Sequence, residues 1–309
     1  MRELPRSDCL IVAAATPFTA DLKPDPGLLA AHCRRLMAEG CDGVALFGTT
    51  GEGAMIAPED RMRTLEALLA AGLPAGRLVL SVGSLAIPDS VALARHGTDL
   101  GVAAVLLMPP CFYRGGITED GTFRFFAAFL DRLGDPGLRL LLYHFPDISG
   151  VPVTPGVIRR LVERYGAQIA GVKDSGGDWD YTEGLLRRFS ELSIFTGTEV
   201  HLPRATLAGA RGTICGLANV VPRLLRRMIE AETALERRRL MVAVQAVDNI
   251  LSRGPFIPAL KAVIAARTGV PAWLRLLPPL HELALSDETR VAEDFSTWQA
   301  GLVEPWRKR

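Results

Sequence analysis

Residues 139–196 read RLLLYHFPDISGVPVTPGVIRRLVERYGAQIAGVKDSGGDWDYTEGLLRRFSELSIFT. Three short apolar runs lie in this stretch: Arg139–Tyr143, Ile169–Lys173 and Ser193–Thr196. Two longer helix-like segments, Thr154–Tyr165 and Trp179–Phe189, separate them. The short runs lack clean polar–apolar alternation, which predicts parallel strands covered on both faces rather than strands with one wet face. A strand–helix–strand rhythm of this kind is the repeating unit of a parallel α/β fold.

The same rhythm extends in both directions. Upstream strands are predicted at Cys9–Ala14, Gly43–Leu46, Leu78–Val82 and Ala103–Leu107, and a last one at Gly212–Cys215, which makes eight. Helices are predicted at Pro26–Gly40, Pro58–Ala71, Ile87–Leu100, Glu119–Leu133 and Glu199–Ala208 in addition to the two above. Pro58 followed by Glu59 and Asp60 suits a helix N-terminus, where a missing N–H is harmless and negative charge meets the helix dipole. Eight βα units in order predict an α/β chain folded as a (β/α)₈ TIM barrel. A doubly wound open sheet is the alternative. It usually carries a Gly-rich dinucleotide fingerprint after the first strand, and Ala13–Phe18 is not one. From Pro222 onward only helix-like segments remain, at Leu224–Leu251, Phe256–Thr268 and Asp287–Val303. The expected organisation is a barrel catalytic domain over residues 1–221 and a C-terminal helical extension over 222–309.

Composition narrows the partners. The 309 residues are 49% hydrophobic, enough for a large core, yet Pro, Gly and charged residues interrupt every apolar run before it could span a bilayer. The polar start, with Pro5, does not read as a signal peptide, so a cytoplasmic location is expected. Net charge is +1 with charges scattered, which predicts no nucleic-acid partner. Five cysteines without C-x-x-C spacing read as reduced, and five dispersed histidines without H-x-H or H-E-x-x-H predict no metal site.

In a barrel of this type chemistry sits where strands end. Lysine occurs only at Lys23, Lys173, Lys261 and Lys308, and Lys173 ends the sixth strand in I-A-G-V-K-D. An ammonium inside an apolar barrel is costly unless paired or neutral, and a neutral amine can attack a ketone. Lys173 is therefore either a Schiff-base lysine or a barrel-mouth lysine paired with Asp174 or another neighbour. Gly48-Thr49-Thr50-Gly51-Glu52-Gly53 follows the second strand; its amides and hydroxyls could hold a carboxylate or phosphate, or it could be an ordinary Gly-rich turn. It lacks G-K-[ST] and is not a P-loop. Tyr143 ends the fifth strand and could move protons, or simply close the barrel. Tyr113 follows Pro109-Pro110, which stiffen a loop able to present it to a second subunit. Gly197-Thr198-Glu199 and Gly212–Gly216 would leave room for a ligand or make tight turns. His144 and His201 have no orienting carboxylate in sequence and rank below Tyr143.

Together these pieces resemble the dihydrodipicolinate synthase / N-acetylneuraminate lyase family of class I pyruvate aldolases. The resemblance is carried by G-T-T-G-E at Gly48–Glu52, M-P-P-C-F-Y at Met108–Tyr113, Y-H-F-P at Tyr143–Pro146, G-V-K-D at Gly171–Asp174 and G-T-I-C-G-L-A-N at Gly212–Asn219. It implies that Lys173 forms an imine with pyruvate or a related 2-keto acid and that Thr50, with the amides of Thr49 and Thr50 after Gly48, holds the carboxylate. Tyr143 would be the acid and base. Thr49 would link it to Tyr113 of an adjacent subunit, and the Ile214 carbonyl would touch the bound acid. The resemblance also implies a homo-oligomer, dimer or tetramer, and no metal or organic cofactor, since the protonated imine is itself the electron sink. Gly197, Ser175 and Glu199 are expected near the second substrate, an aldehyde. The lysine-biosynthetic synthase has an Arg five residues after the strand-five Tyr; here it is Ile148, which cannot fork a carboxylate. The sialic acid lyase branch has a second acid where Val200 stands. A 2-keto-3-deoxy sugar-acid aldolase or dehydratase fits better than either. A non-catalytic 2-keto-acid sensor on the same scaffold and a metal-dependent barrel hydrolase are the readings of other classes.

Overall fold

The computed structural model describes residues 8–113 and 115–302. Eight parallel strands close in chain order: β1 (Cys9–Ala13), β2 (Gly43–Leu46), β3 (Leu78–Ser81), β4 (Ala104–Leu107), β5 (Leu140–His144), β6 (Ile169–Asp174), β7 (Ser193–Thr196) and β8 (Gly212–Cys215). β8 returns to β1 with Ile11 opposite Ile214, so the sheet has no edge. The helices are α1 (Pro26–Ala38), α2 (Pro58–Ala70), α3 (Ile87–Leu100), α4 (Glu119–Leu133), α5 (Pro146–Ser149), α6 (Pro155–Tyr165), α7 (Trp179–Arg188), α8 (Leu202–Leu207), α9 (Pro222–Glu230), α10 (Ala234–Leu251), α11 (Phe256–Thr268) and α12 (Leu285–Gly301). None is long and apolar enough to cross a membrane among the described residues.

Each strand sends alternate side chains to opposite sides of the barrel wall. Ile11, Val79, Leu106, Leu141, Tyr143, Phe195 and Ile214 form the inner cluster. Leu10, Val12, Leu80, Leu107, Leu142 and Val172 belong to the outer cluster beneath the helices. Helix starts follow local chemistry. Thr118 accepts from the Gly121 amide at 3.1 Å to open α4, and Thr154 accepts from the Val157 amide at 3.2 Å to open α6. Phe126 and Phe129 of α4 are fully buried, each stabilising the wall by about 2–3 kcal/mol.

Three departures from the helices expected from sequence stand out. The predicted helix Leu224–Leu251 is two helices, because the chain turns extended at Ala231 and Thr233 caps a new start, accepting from the Glu236 amide at 3.1 Å. A one-turn helix, α5, follows β5, begun by Pro146 and closed by Gly150 in the left-handed conformation. The predicted segment Glu199–Ala208 is a 3₁₀ turn at Glu199–His201 followed by α8. Val303, the predicted end of the last helix, lies outside the described residues, as does the polar start before Asp8. The outer cluster is continuous from Val44 and Leu65 to Leu240, Val263, Trp273 and Phe295, so α9–α12 share one core with the barrel.

Candidate active site

β5 and β6 bring the chemistry together through their register. The pairing shifts between Leu140 and Leu141, which leaves Leu141 opposite Gly171 and Tyr143 opposite Lys173. Both then face the barrel interior at its C-terminal mouth. Lys173 is 5% exposed, and its Nζ lies 4.0 Å from the centroid of the Tyr143 ring. Lys173 has no ion pair among the described residues. Asp174, the partner expected from sequence, points the other way: Oδ1 accepts from the Gly176 amide at 2.9 Å and Oδ2 from the Thr182 hydroxyl. Strand alternation is the reason, since adjacent residues cannot share a face.

The Tyr143 phenol sits 3.4 Å from Thr49 Oγ1. Burial alone would push its pKa up; the Lys173 charge, with hydrogen bonds from Thr49, Lys173 and Ser175, outweighs burial and holds it below the usual value of 10. Ser175 continues the inward face of β6 and donates its amide to the His144 carbonyl at 2.8 Å. Gly197 packs on it: a β-carbon there would stand 2.0 Å from Ser175 Oγ, so any larger residue would displace that hydroxyl.

The turn after β2 is wound on the Gly48 carbonyl, which accepts from the amides of Gly51 and Gly53, both at 3.1 Å. The amides of Thr49 and Thr50 have no acceptor among the described residues, so two adjacent N–H groups stay available beside Lys173's neighbour Tyr143. Two donors on one short arc are suited to a carboxylate. Thr50 Oγ1 lies 3.4 Å from where a β-carbon on Gly216 would be, which places the turn beside the end of β8. Ile214, fully buried, lines the same interior.

The other expected residues have surroundings of their own. Tyr113 is 74% exposed, edge-to-face with Phe112 at 5.2 Å, and touches neither Thr49 nor Tyr143 of its own chain. Glu199 Oε1 accepts from the Leu217 amide at 3.0 Å, and burial pushes its carboxyl up, with Asp248 adding to the rise. It therefore ties two loops together on the side of α10. Ile148, on α5, is 45% exposed. His144 is stacked on Tyr181 at 4.0 Å and its Nδ1 accepts from the Val153 amide at 3.1 Å. Burial lowers its pKa against the pull of Asp174, so it is a neutral structural acceptor. His201 is also lowered by burial, with Arg204 adding to it. No group of three or more His, Cys, Asp or Glu stands ready to hold a metal among the described residues.

Three residues around the site escaped the sequence reading. Asn219 joins the ends of β1 and β8: its Oδ1 accepts from the Ala15 amide, and its Nδ2 donates to the carbonyls of Ala13 and Gly216. Glu52 and Lys261 form a fully buried ion pair at 2.6 Å. Lysine's scarcity made Lys261 visible in an apolar helix, but nothing local named its partner.

Comparisons with known proteins bear on the family and the fold. The model of the dihydrodipicolinate synthetase family matches residues 6–297. An uncharacterized DapA-like lyase of Chloroflexus aurantiacus is 37% identical over 279 residues, covering 88% of this chain and 90% of that protein. The dihydrodipicolinate synthase structure from Agrobacterium tumefaciens has a TM-score of 0.86 at 30% identity, covering 94% of this chain and 99% of that one. A Sulfolobus solfataricus 2-keto-3-deoxygluconate aldolase gives a TM-score of 0.84 at 21% identity, covering 96% of this chain and 98% of that one, a likeness of fold alone.

Proposed function

The chain belongs to the dihydrodipicolinate synthetase family, and on that premise we propose that it is a class I lyase whose Lys173 forms a Schiff base with pyruvate or a related 2-keto acid. The observation that carries this reading is Lys173 itself: a buried lysine at the barrel mouth, with no ion pair among the described residues, 4.0 Å from the ring of a tyrosine whose phenol is held below its usual pKa. A structural lysine in that place would be expected to have a carboxylate partner.

In the cleavage direction Nζ attacks the keto carbon of a 2-keto-4-hydroxy acid and water leaves, giving the iminium ion. A base takes the proton of the 4-hydroxyl and the C3–C4 bond breaks. The aldehyde departs and its bonding pair becomes the enamine. Protonation at C3 and hydrolysis then release pyruvate and the free lysine. Tyr143 would carry these proton transfers, a role supported by Thr49 Oγ1 lying against its oxygen. Thr50 and the amides of Thr49 and Thr50 would take the carboxylate, with Gly48 shaping the turn and Ile214 lining the interior beneath the keto acid. Ser175 and Gly197 would border the aldehyde. Tyr113, exposed on its own chain, would complete the site of a second copy in a homo-oligomer.

For the aldehyde half, an apolar Ile148 where the lysine-biosynthetic branch has Arg favours a neutral polyol chain over a carboxylate, hence a 2-keto-3-deoxy sugar acid. Borohydride reduction in the presence of pyruvate tests the first half. A single adduct is expected on Lys173, absent in Lys173→Ala; an active preparation without the adduct would overturn it. A panel of 2-keto-3-deoxy acids assayed for pyruvate release tests the second.

A further inference from the structure

Glu52 ends the G-T-T-G-E turn, and its side chain leaves the barrel mouth for the C-terminal helices. Oε1 accepts from Lys261 Nζ at 2.6 Å, and Oε2 accepts from the Leu277 amide at 2.7 Å. Both side chains of the pair are 0% exposed. Lys261, on α11, also donates to the Arg275 carbonyl, and its ammonium lies 4.4 Å from the Phe18 ring centroid. From the barrel side, Thr16 Oγ1 donates to the Gly51 carbonyl at 2.8 Å. The turn is thus gripped at its last two residues from two directions. Glu52 itself sits at φ 58, a conformation that side chains rarely adopt and that persists only when the surroundings impose it.

A buried ion pair is a poor way to gain stability, because desolvation offsets much of the attraction and an apolar pair of equal volume does as well. What such a pair does supply is direction: two charges and two backbone partners admit one arrangement of the turn. We propose that Glu52 and Lys261 are positioning residues that set the geometry of the Thr49–Thr50 amides, so that the C-terminal helices are a working part of the 2-keto-acid site. This rests on the reading of that turn as the carboxylate cradle. Residues 275–277 and α11 hold the turn at its far end, and Lys173 and Tyr143 meet it at the near end through Thr49.

Pyruvate capture at Lys173 provides the test, since it needs no knowledge of the aldehyde. The half-saturating pyruvate concentration for borohydride trapping is measured for the full-length protein, for Lys261→Met, for Glu52→Gln and for the double variant. Both single variants are expected to raise half-saturation, Lys261→Met by about 10- to 100-fold, the scale of a site misplaced by about 1 Å. The maximal extent of trapping is expected to stay near that of the parent protein, because Lys173 and Tyr143 are untouched. The double variant is expected to be no worse than Lys261→Met, because the two residues act as one unit. Variants that melt lower but keep the parent half-saturation would show a merely structural pair and overturn the inference. Should Lys261→Met fail to fold, Glu52→Gln decides alone: it keeps size and can still accept from Leu277, and an unchanged half-saturation overturns the inference equally. Failure of the parent protein to trap pyruvate would instead refute the Schiff-base reading, a distinct result.

Discussion

Tyr143 is pulled in two directions. Burial favours the neutral phenol, whereas the Lys173 charge and the hydroxyls of Thr49 and Ser175 favour the phenolate, and the second group wins. If Tyr143 is the proton donor, kcat/KM, which reports the free enzyme, falls as pH rises through a pKa below 10. Tyr143→Phe is expected to lower turnover by about 10²- to 10⁴-fold and to abolish that alkaline limb. Thr49→Val removes one donor to the phenolate and is expected to move the limb to higher pH with a smaller loss of rate. A Tyr143→Phe enzyme that kept the parent limb would remove Tyr143 from the chemistry. Lys173 and Tyr143 could be singled out in the sequence because each ends a strand, and the barrel rule puts strand ends at the mouth. That Lys173 is not paired with Asp174 also follows from alternation, once the strand is known to run through both. The Glu52–Lys261 pair could not be found this way: 209 residues separate them, and no periodicity links one loop to one helix face.

At the scale of elements, the docking of α1 on the barrel turns on His32. Asn219 Oδ1 accepts from the Ala15 amide, so His32 Nε2, 2.9 Å away, must donate to that same oxygen. His32 Nδ1 then faces Arg35 Nη2 at 3.2 Å and accepts from it. The ring is neutral by construction. Burial, aided by the charges of Arg35 and Arg267 and opposed by Asn219, lowers its pKa to about 3 from the usual 6.5. Between those values the unfolded chain takes up a proton that the folded chain refuses, so stability contributed by this site declines as pH falls from 6.5 toward 3. Each pH unit in that window withdraws up to about 1.4 kcal/mol. The slope of unfolding free energy against pH, measured from pH 7 to 4, is expected to be shallower in His32→Gln than in the parent protein; equal slopes would discard the assignment. The strands were legible because parallel strands buried on both faces stand out as apolar runs between helices. The break between α9 and α10 was written in the sequence as Thr233-Ala-Leu-Glu236, a capping-box spacing, yet apolar residues on both sides of it gave the appearance of one helix.

For the whole molecule, the informative surface is the loop after β4. Phe112 and Tyr113 are 71% and 74% exposed, a pair of aromatic rings at the end of a loop opened by Pro109 and Pro110. Large exposed aromatics on a stiff loop mark a contact surface rather than a solvent face. If Tyr113 serves the site of a second copy, each site draws on two chains, and an isologous dimer makes the exchange reciprocal. Lys173→Ala has an intact Tyr113 but no nucleophile; Tyr113→Ala has the nucleophile but cannot complete its neighbour's site. Each variant alone is expected to be nearly inactive. Mixed in equal amounts, dissociated and reassociated, half of the dimers would pair the two variants. One of the two sites in each such dimer would then hold Lys173 from one chain and Tyr113 from the other. Pyruvate release should therefore recover to about a quarter of the parent rate. Sedimentation at the assay concentration checks that the chains associate. Recovery depends on which chain supplies which group, so a mixture that stays inactive despite forming dimers would show that Tyr113 does not serve a neighbour's site, and a fully active Tyr113→Ala would place it outside the active site.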